Sequence, residues 1–365
     1  MLTLGGENLN FLITGNMGYI GPSVVRRLKK LYPNSKIIGL DTGYFAHCLT
    51  NTDVLPESNV DIQYFADIRN FPENILDGID AVVHLAAISN DPMGNVNEKL
   101  TFDVNYKASI NLAKKAKAKG VKTFVFASSC SVYGFAEEGD KTEKSEVNPL
   151  TAYAKSKVFT ERDLKDLADK NFKITSLRFS TACGMSERLR LDLVLNDFVA
   201  SALATNKIII LSDGTPWRPL ININDMAKAI DWALSRDINS GGEYLVINVG
   251  NNEWNYQIKD LANATAKIIS NVEVSISKHA QPDKRSYKVN FDLYKTLAPK
   301  YQYEYDLIRT ITELEKGLRA IGFNDKNFRA SSFIRLKVLQ NLKEKGLLSD
   351  DLIWKNKNQL GVEVG

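Results

Sequence analysis

The sequence predicts an α/β fold, a doubly wound parallel sheet followed by a smaller C-terminal α/β lobe. Three observations carry this expectation. Short apolar runs alternate with helical patterns through the first half of the chain, the pattern of βαβ units. The runs are apolar throughout, as in strands buried on both faces. A glycine-rich turn joins the first run to the first helix, at the end of a sheet where such folds bind ligands.

The elements follow in order. Asn10–Thr14 (NFLIT) reads as a strand and Pro22–Leu31 as a helix. Lys36–Leu40 (KIIGL), Ile62–Phe65 and Ala81–Leu85 (AVVHL) are the next strands, and a helix covers Val104–Lys119. Thr123–Ala127 (TFVFA) is the fifth strand, Ala152–Lys170 a long helix, and Lys173–Leu177 (KITSL) the sixth strand. Beyond about residue 180 the alternation loosens. Ile208–Leu211 and Val272–Ser277 read as strands among helices at 192–205, 257–269 and 310–320. The predicted domains are 1–180, joined by 222–250 returning to its sheet, and an interleaved lobe over 181–325. The tail, 326–365, is charged, suits a helix, and carries no chemistry that its composition reveals.

The 365 residues, 44% of them apolar, exceed one ordinary domain and can supply a full core. The net charge of +4 comes from scattered lysines, with no concentrated basic face, so nucleic acid is not an expected partner. Cys48, Cys130 and Cys183 lie far apart, which fits neither a disulfide framework nor a zinc site. His47 and His279 fall outside every motif, and metal chemistry is not expected. No apolar run approaches the roughly 18 residues that span a bilayer, and the first residues lack a basic leader. The expectation is a soluble cytoplasmic protein with no membrane partner.

The first strand runs into Gly15-Asn16-Met17-Gly18-Tyr19-Ile20-Gly21. Glycine there lets the backbone turn and approach a pyrophosphate, whose charge then sits at a helix N-terminus. The second strand ends in Asp41, placed to accept from adenosine ribose hydroxyls and to repel a 2′-phosphate. NAD is therefore favoured over NADP. Asp67-Ile68 follows the third strand, and Asp67 is placed for the adenine amino group. Leu85-Ala86-Ala87 ends the fourth strand with residues small enough for a cofactor to lie on the backbone.

The fifth strand leads into Ser128-Ser129-Cys130-Ser131-Val132-Tyr133-Gly134, and Tyr153 and Lys157 stand four apart on the following helix. That spacing puts phenol and ammonium on one face. The ammonium favours the phenolate, giving the proton acceptor that carbonyl–alcohol interconversion needs. Ser129 can hydrogen-bond the same substrate oxygen.

Together these motifs resemble an extended short-chain dehydrogenase/reductase of the nucleotide-sugar epimerase/dehydratase group. The likeness covers about residues 8–320 and includes His84, Asn105 and Leu177-Arg178-Phe179. It implies a Rossmann-type domain holding NAD and a C-terminal lobe holding a nucleotide-diphosphate sugar. Ser129, Tyr153 and Lys157 take the catalytic roles. Asn105, Ser128 and Phe179 join the glycine turn, with Asn16, Tyr19 and Ile20, as cofactor contacts. Lys157 also holds the nicotinamide ribose. Arg218 and Arg285, in segments like the family's, are the expected diphosphate ligands, and guanidinium forks suit that group. Ser89, Asn90, Cys130, Ser131, Thr181 and Asn196 are the remaining expected substrate contacts. A homodimer through a four-helix bundle, built from the helices at 104–119 and 152–170, is also implied.

Departures narrow the reaction. The family's 4,6-dehydratases carry an Asp-Glu pair after the serine or threonine; here Cys130 and Ser131 stand there. The 4-epimerases have small residues at both positions, which fits better. Ser180-Thr181 stands where they often carry asparagine, and Arg188 and Arg190 either read an additional acidic group or face solvent. An NAD-dependent epimerase acting through transient oxidation, at C4 for preference, leads. A 4-keto-sugar reductase is the alternative, and a 4,6-dehydratase the weaker one.

Overall fold

The computed structural model describes residues 9–50, 52–89, 97–277 and 285–355. Its main sheet has seven parallel strands. Their spatial order is Tyr244–Val249, Lys173–Phe179, Thr123–Ser129, Ala81–His84, Asn10–Thr14, Lys36–Asp41, Ile62–Phe65. The inner strands are buried on both faces, with Leu12, Ile13, Val82, Val83 and Phe124 fully or almost fully removed from water. Burial on both faces is why they read as continuous apolar runs.

Chain order reverses beside Asn10–Thr14. From there the first three strands step outward one way, and Ala81–His84 begins the walk the other way. Helices leaving opposite faces part at such a reversal and leave a crevice at the strands' C-terminal ends. On one face the helix Gly21–Leu31 packs against Ile223–Ser235, tied by Arg27 to Asp231 at 2.9 Å. On the other, Ala108–Ala118 and Ala152–Lys165 help cover a second apolar layer that includes Ile38, Leu76, Leu112 and Phe172.

Two predicted helices differ from expectation in their bounds. The helical stretch predicted over Val104–Lys119 starts at Glu98 and is interrupted by a π-turn over Asp103–Lys107. Asn97 supplies the cap, its Oδ1 accepting the Leu100 amide at 2.9 Å. The wider turn coincides with buried Asn105, which clamps Ile88: its Oδ1 accepts the Ile88 amide at 2.8 Å and its Nδ2 donates to the Ile88 carbonyl at 3.0 Å. The helix predicted over Ala152–Lys170 ends at Lys165, because Asp169 turns the chain by accepting the amides of Asn171 (2.8 Å) and Phe172 (3.0 Å).

The remaining strands form three small sheets. Thr181–Cys183, Trp217–Asn222 and Asn255–Gln257 make one, Lys207–Ile210 pairs with Glu273–Ile276, and Phe135–Lys141 pairs with Ser286–Val289. The charged tail forms a helix, Arg335–Glu344, and turns back on itself where Leu348 bridges Trp354. No helix among the described residues is long and apolar enough to cross a membrane.

The Asn105 clamp should be worth measuring. Asn105→Ala leaves a buried amide and carbonyl unpaired, at about 1–3 kcal/mol each. Urea denaturation should show a loss of at least about 2 kcal/mol; a loss below about 0.5 kcal/mol would mean that the clamp contributes nothing.

Candidate active site

A cavity of about 650 Å³ opens at the C-terminal edge of the sheet, along the reversal of strand order. Gly15, Gly18, Tyr19 and Ile20 line it from the first turn, and Leu85, Ala86 and Ala87 from the fourth strand's end. Gly15 sits at φ +74°, and a Cβ there would lie 2.6 Å from the Ala86 amide nitrogen. At Gly21 a Cβ would lie 2.0 Å from the Asn16 carbonyl oxygen. The two loops and the helix start therefore close together only as glycine, which leaves a backbone cradle open at a helix N-terminus. A dinucleotide pyrophosphate fits such a cradle. Asn16 faces elsewhere, bonding Gln63 at 2.6 Å behind the turn.

Asp41 is tied into the same turn. Its carboxylate accepts the amides of Met17 at 3.1 Å and Gly43 at 2.8 Å, and it lines the cavity. Loss of water pushes its carboxyl above the usual range, and those two amide donors pull it back. Asp67 also lines the cavity, but Arg69 grips it, with Nε 3.0 Å from each oxygen and Nη2 at 2.6 Å. Ile68 lies beside them.

Tyr153 and Lys157 line the same cavity. Thr151 caps their helix, its Oγ1 accepting the Ala154 amide at 3.2 Å. One turn on, the Lys157 Nζ lies 5.4 Å from the centre of the Tyr153 ring and donates to the Ala127 carbonyl at 2.7 Å. Burial drives Lys157 down to about 7, against the upward pull of Glu161. Behind it, buried His84 bridges the hydroxyls of Thr14 (2.6 Å) and Ser109 (2.7 Å). Burial first, and then the Lys157 charge, lower His84 to about 3, so it is neutral.

The three serines take different places. Ser128 borders the cavity, but its hydroxyl donates to Glu161. Ser129 is not among the cavity-lining residues; its Oγ accepts the Ser131 amide at 3.1 Å and caps the short turn Cys130–Tyr133. Ser131 lines the cavity, and its buried Oγ has no hydrogen-bond partner. Cys130 points away: it is 1% exposed and its thiol donates to the Arg178 carbonyl at 3.1 Å. Its expected substrate contact is not met, because the strand end turns that side chain into the core.

Phe179, Thr181, Arg218 and Arg285 line the same cavity. The Arg218 Nη1 donates to the Trp217 carbonyl at 2.8 Å and to that of Arg285. Asn196 is fully buried and braces the wall: Nδ2 donates to the Tyr19 hydroxyl at 2.9 Å and Oδ1 accepts the Gly184 amide at 3.1 Å. Neither it nor Asn105 lines the cavity. Ser89 does, held by Arg190 at 2.8 Å, while Asn90 lies outside the described residues. The solvent reading of the two arginines fails, since both are buried. Arg190 forks onto Asp192 at 2.9 and 3.0 Å and lines the cavity; Arg188 pairs with Glu57.

Sequence reading missed several lining residues: Tyr44, Phe45 and Arg69 in loops after strands, and Arg335, Leu339 and Leu352 in the tail. The only signal was the spacing of Leu336, Leu339 and Leu342, an apolar stripe in an otherwise charged helix.

Comparison with known proteins agrees with this geometry. The UDP-glucose 4-epimerase of Neisseria meningitidis is 28% identical over 66% of this chain and 77% of its own. That of Caenorhabditis elegans is 27% identical over 71% and 83%. A UDP-glucose 4-epimerase from Stenotrophomonas maltophila, solved with NAD and formylated UDP-arabinopyranose, shares the fold at TM-score 0.73 and 23% identity, covering 86% of this chain and 99% of its own. TunA, an NAD-dependent NDP-hexosamine 5,6-dehydratase, does so at TM-score 0.74 and 21% identity, covering 87% and 100%. The model of the NAD dependent epimerase/dehydratase family matches residues 11–250, and the chain belongs to that family.

Proposed function

We propose that the chain is an NAD-dependent nucleotide-sugar epimerase that oxidises one sugar carbon, C4 in the leading reading, and reduces it again from the other face. The observation that carries this is a single cavity lined by Asp41 and the glycine turn, by Tyr153 and Lys157, and by Arg218 and Arg285. Bound NAD supplies the hydride acceptor and donor. Tyr153 takes the hydroxyl proton as the carbon is oxidised and returns it when the ketone is reduced, so no proton is gained or lost over the cycle. Lys157, 5.4 Å from the ring, favours the phenolate. Ser129, the serine expected to donate to the substrate oxygen, accepts the Ser131 amide and lies behind the cavity wall, so its part in this reading is to hold the serine turn. Ser131 lines the cavity and its hydroxyl has no partner of its own, so it is the serine of this turn left to donate to the sugar. Arg218 and Arg285 hold the diphosphate, and Asp41 holds the adenosine ribose.

Cys130 supports the choice of reaction. Burial pushes its thiol well above its ordinary value, and it faces the core, so it offers no substitute for a dehydratase's acid. Three buried free cysteines suit a reducing cytoplasm as the compartment. A homodimer is part of the proposal. Phe102, Tyr106 and Phe159 form a half-buried aromatic cluster, with ring centres 5.7 Å apart, on the helices that would build a four-helix bundle. Light scattering should give twice the 40.8 kDa chain mass; a monomer at all concentrations refutes the dimer.

The deciding assay is incubation with UDP-, GDP-, CDP- and TDP-sugars, 4-keto forms included, followed by NMR and NADH absorbance. A new epimer with no net NADH change supports the proposal, and stoichiometric NADH consumption selects the keto-reductase instead. Tyr153→Phe should lower turnover by about two to four orders of magnitude; near wild-type activity removes its assigned role.

Lys157 gives a pH signature in the cofactor-free protein. Its folded value, about 7, lies below the unfolded 10.5. The unfolded chain therefore binds more protons between those values, and stability rises with pH across that window. Lys157→Met removes this rise. The stability of wild type relative to the variant should climb from pH 7 to 10 by up to a few kcal/mol, at about 1.4 per pH unit. Parallel pH profiles in chemical denaturation would show that Lys157 is not held in this state.

A further inference from the structure

The tail has no place in the reaction above, yet it walls the cavity. Arg335, Leu339 and Leu352 are among its lining residues. The path of the chain shows how. Arg329 forks onto Asp197 of the substrate lobe at 2.6 and 2.9 Å, which anchors one end. The buried Arg335 then caps the carbonyls of Arg188 (2.8 Å) and Leu189 (3.2 Å), with its guanidinium 5.0 Å from the Phe45 ring centre. Leu339, Leu348 and Leu352 pack with Ile88 and Leu100, joining the loop after the second strand to the one after the fourth. The far end is tied down at the ribose loop. Trp354 Nε1 donates to the Thr42 carbonyl at 2.7 Å, and the Tyr44 hydroxyl donates to the Leu352 carbonyl.

Thr42 and Tyr44 directly follow Asp41, and Arg69, which grips Asp67, donates to the same Leu352 carbonyl at 3.5 Å. The tail thus crosses the cavity at the end where the two acids of the cofactor cradle stand. We propose that residues 329–354 are part of the cofactor site: a strap that closes over the adenosine half of NAD, contributes Leu339 and Leu352 as apolar contacts, and keeps the cofactor bound through successive turnovers. Adenosine offers an apolar face and a polar edge, which matches leucines on one side and the Asp41 and Asp67 carboxylates on the other. The inference rests on NAD dependence, a property of the family, and its test does not require the substrate to be known.

The experiment measures NAD itself. Purified full-length protein is loaded with NAD and desalted, the bound NAD is counted per chain, and its dissociation is followed by exchange with labelled NAD. Wild type should keep close to one NAD per chain. Leu352→Gly deletes the leucine side chain and keeps a backbone already at φ +54°. Trp354→Ala removes the tie to Thr42. The double variant should lose NAD on desalting and release it at least about tenfold faster, since affinity changes fall mostly on the off-rate, with its thermal unfolding otherwise intact. Equal retention and release in the double variant overturn the strap, as does a wild type that keeps no NAD. If the double variant does not fold, Trp354→Ala alone, at a side chain 42% exposed, decides by the same readout. A chain that retains NAD through the strap but yields no epimer from any nucleotide sugar refutes the proposed reaction and leaves the strap standing.

Discussion

The buried ion pair between Glu161 and Arg178 holds the Tyr153–Lys157 part of the cavity together. The Arg178 Nη2 meets the Glu161 Oε2 at 2.7 Å, and both side chains are almost closed to solvent. Glu161 belongs to the helix that carries Tyr153 and Lys157, and Arg178 to the neighbouring strand. Ser128, at the end of the central strand, donates to the same carboxylate. Arg178 also donates to the Tyr133 hydroxyl at 3.0 Å, and that hydroxyl bonds the Asn248 Oδ1 at 2.7 Å on the returning strand. One network thus fixes helix, two neighbouring strands, the serine turn and the last strand of the sheet. Removing one partner of such a pair strands a buried charge, so the network holds only as a unit.

The same carboxylate acts on Lys157. Burial disfavours the ammonium, and Glu161 is the charge that opposes this. A lysine poised near neutrality can be driven fully cationic by a phenolate or a ribose oxygen arriving at the site. The ion pair therefore positions the helix that carries Tyr153 and sets the electrostatic environment of its lysine at once.

Much of this was legible in the sequence. Strands buried on both faces announced themselves as unbroken apolar runs, and the glycine turn, Asp41 and the Tyr153–Lys157 spacing are local features. What stayed hidden depends on distant partners. Glu161 is one charge among many on a helix, and only its pairing with Arg178 across the fold gives it meaning. Asn105 was expected at the cofactor through the family likeness; the structure shows it clamping Ile88 instead. Cys130 looked like a substrate contact because sequence does not say which way a side chain turns at a strand end. The tail was opaque for the same reason: its leucine stripe predicts an apolar face, but only the fold names Tyr44, Phe45 and Ile88 as what that face meets.

Charge balance at the ribose end explains the cofactor choice more fully than Asp41 does alone. A 2′-phosphate needs an uncommitted cation. The arginines around that end are committed: Arg188 to Glu57 at 2.7 and 3.0 Å, Arg69 to Asp67, and Arg335 to the carbonyls of Arg188 and Leu189. Pulling Arg188 or Arg69 away to meet a phosphate would leave its carboxylate partner unpaired, beside Asp41, which itself repels the phosphate. The penalty is thus counted twice, once in repulsion and once in a broken pair. The strap adds a steric side to the same argument. Tyr44 and Trp354 sit ring to ring at 5.6 Å directly beyond Thr42, so the loop that would have to widen around a phosphate is pinned by the tail. Selectivity for NAD and retention of NAD are then two consequences of one packed corner.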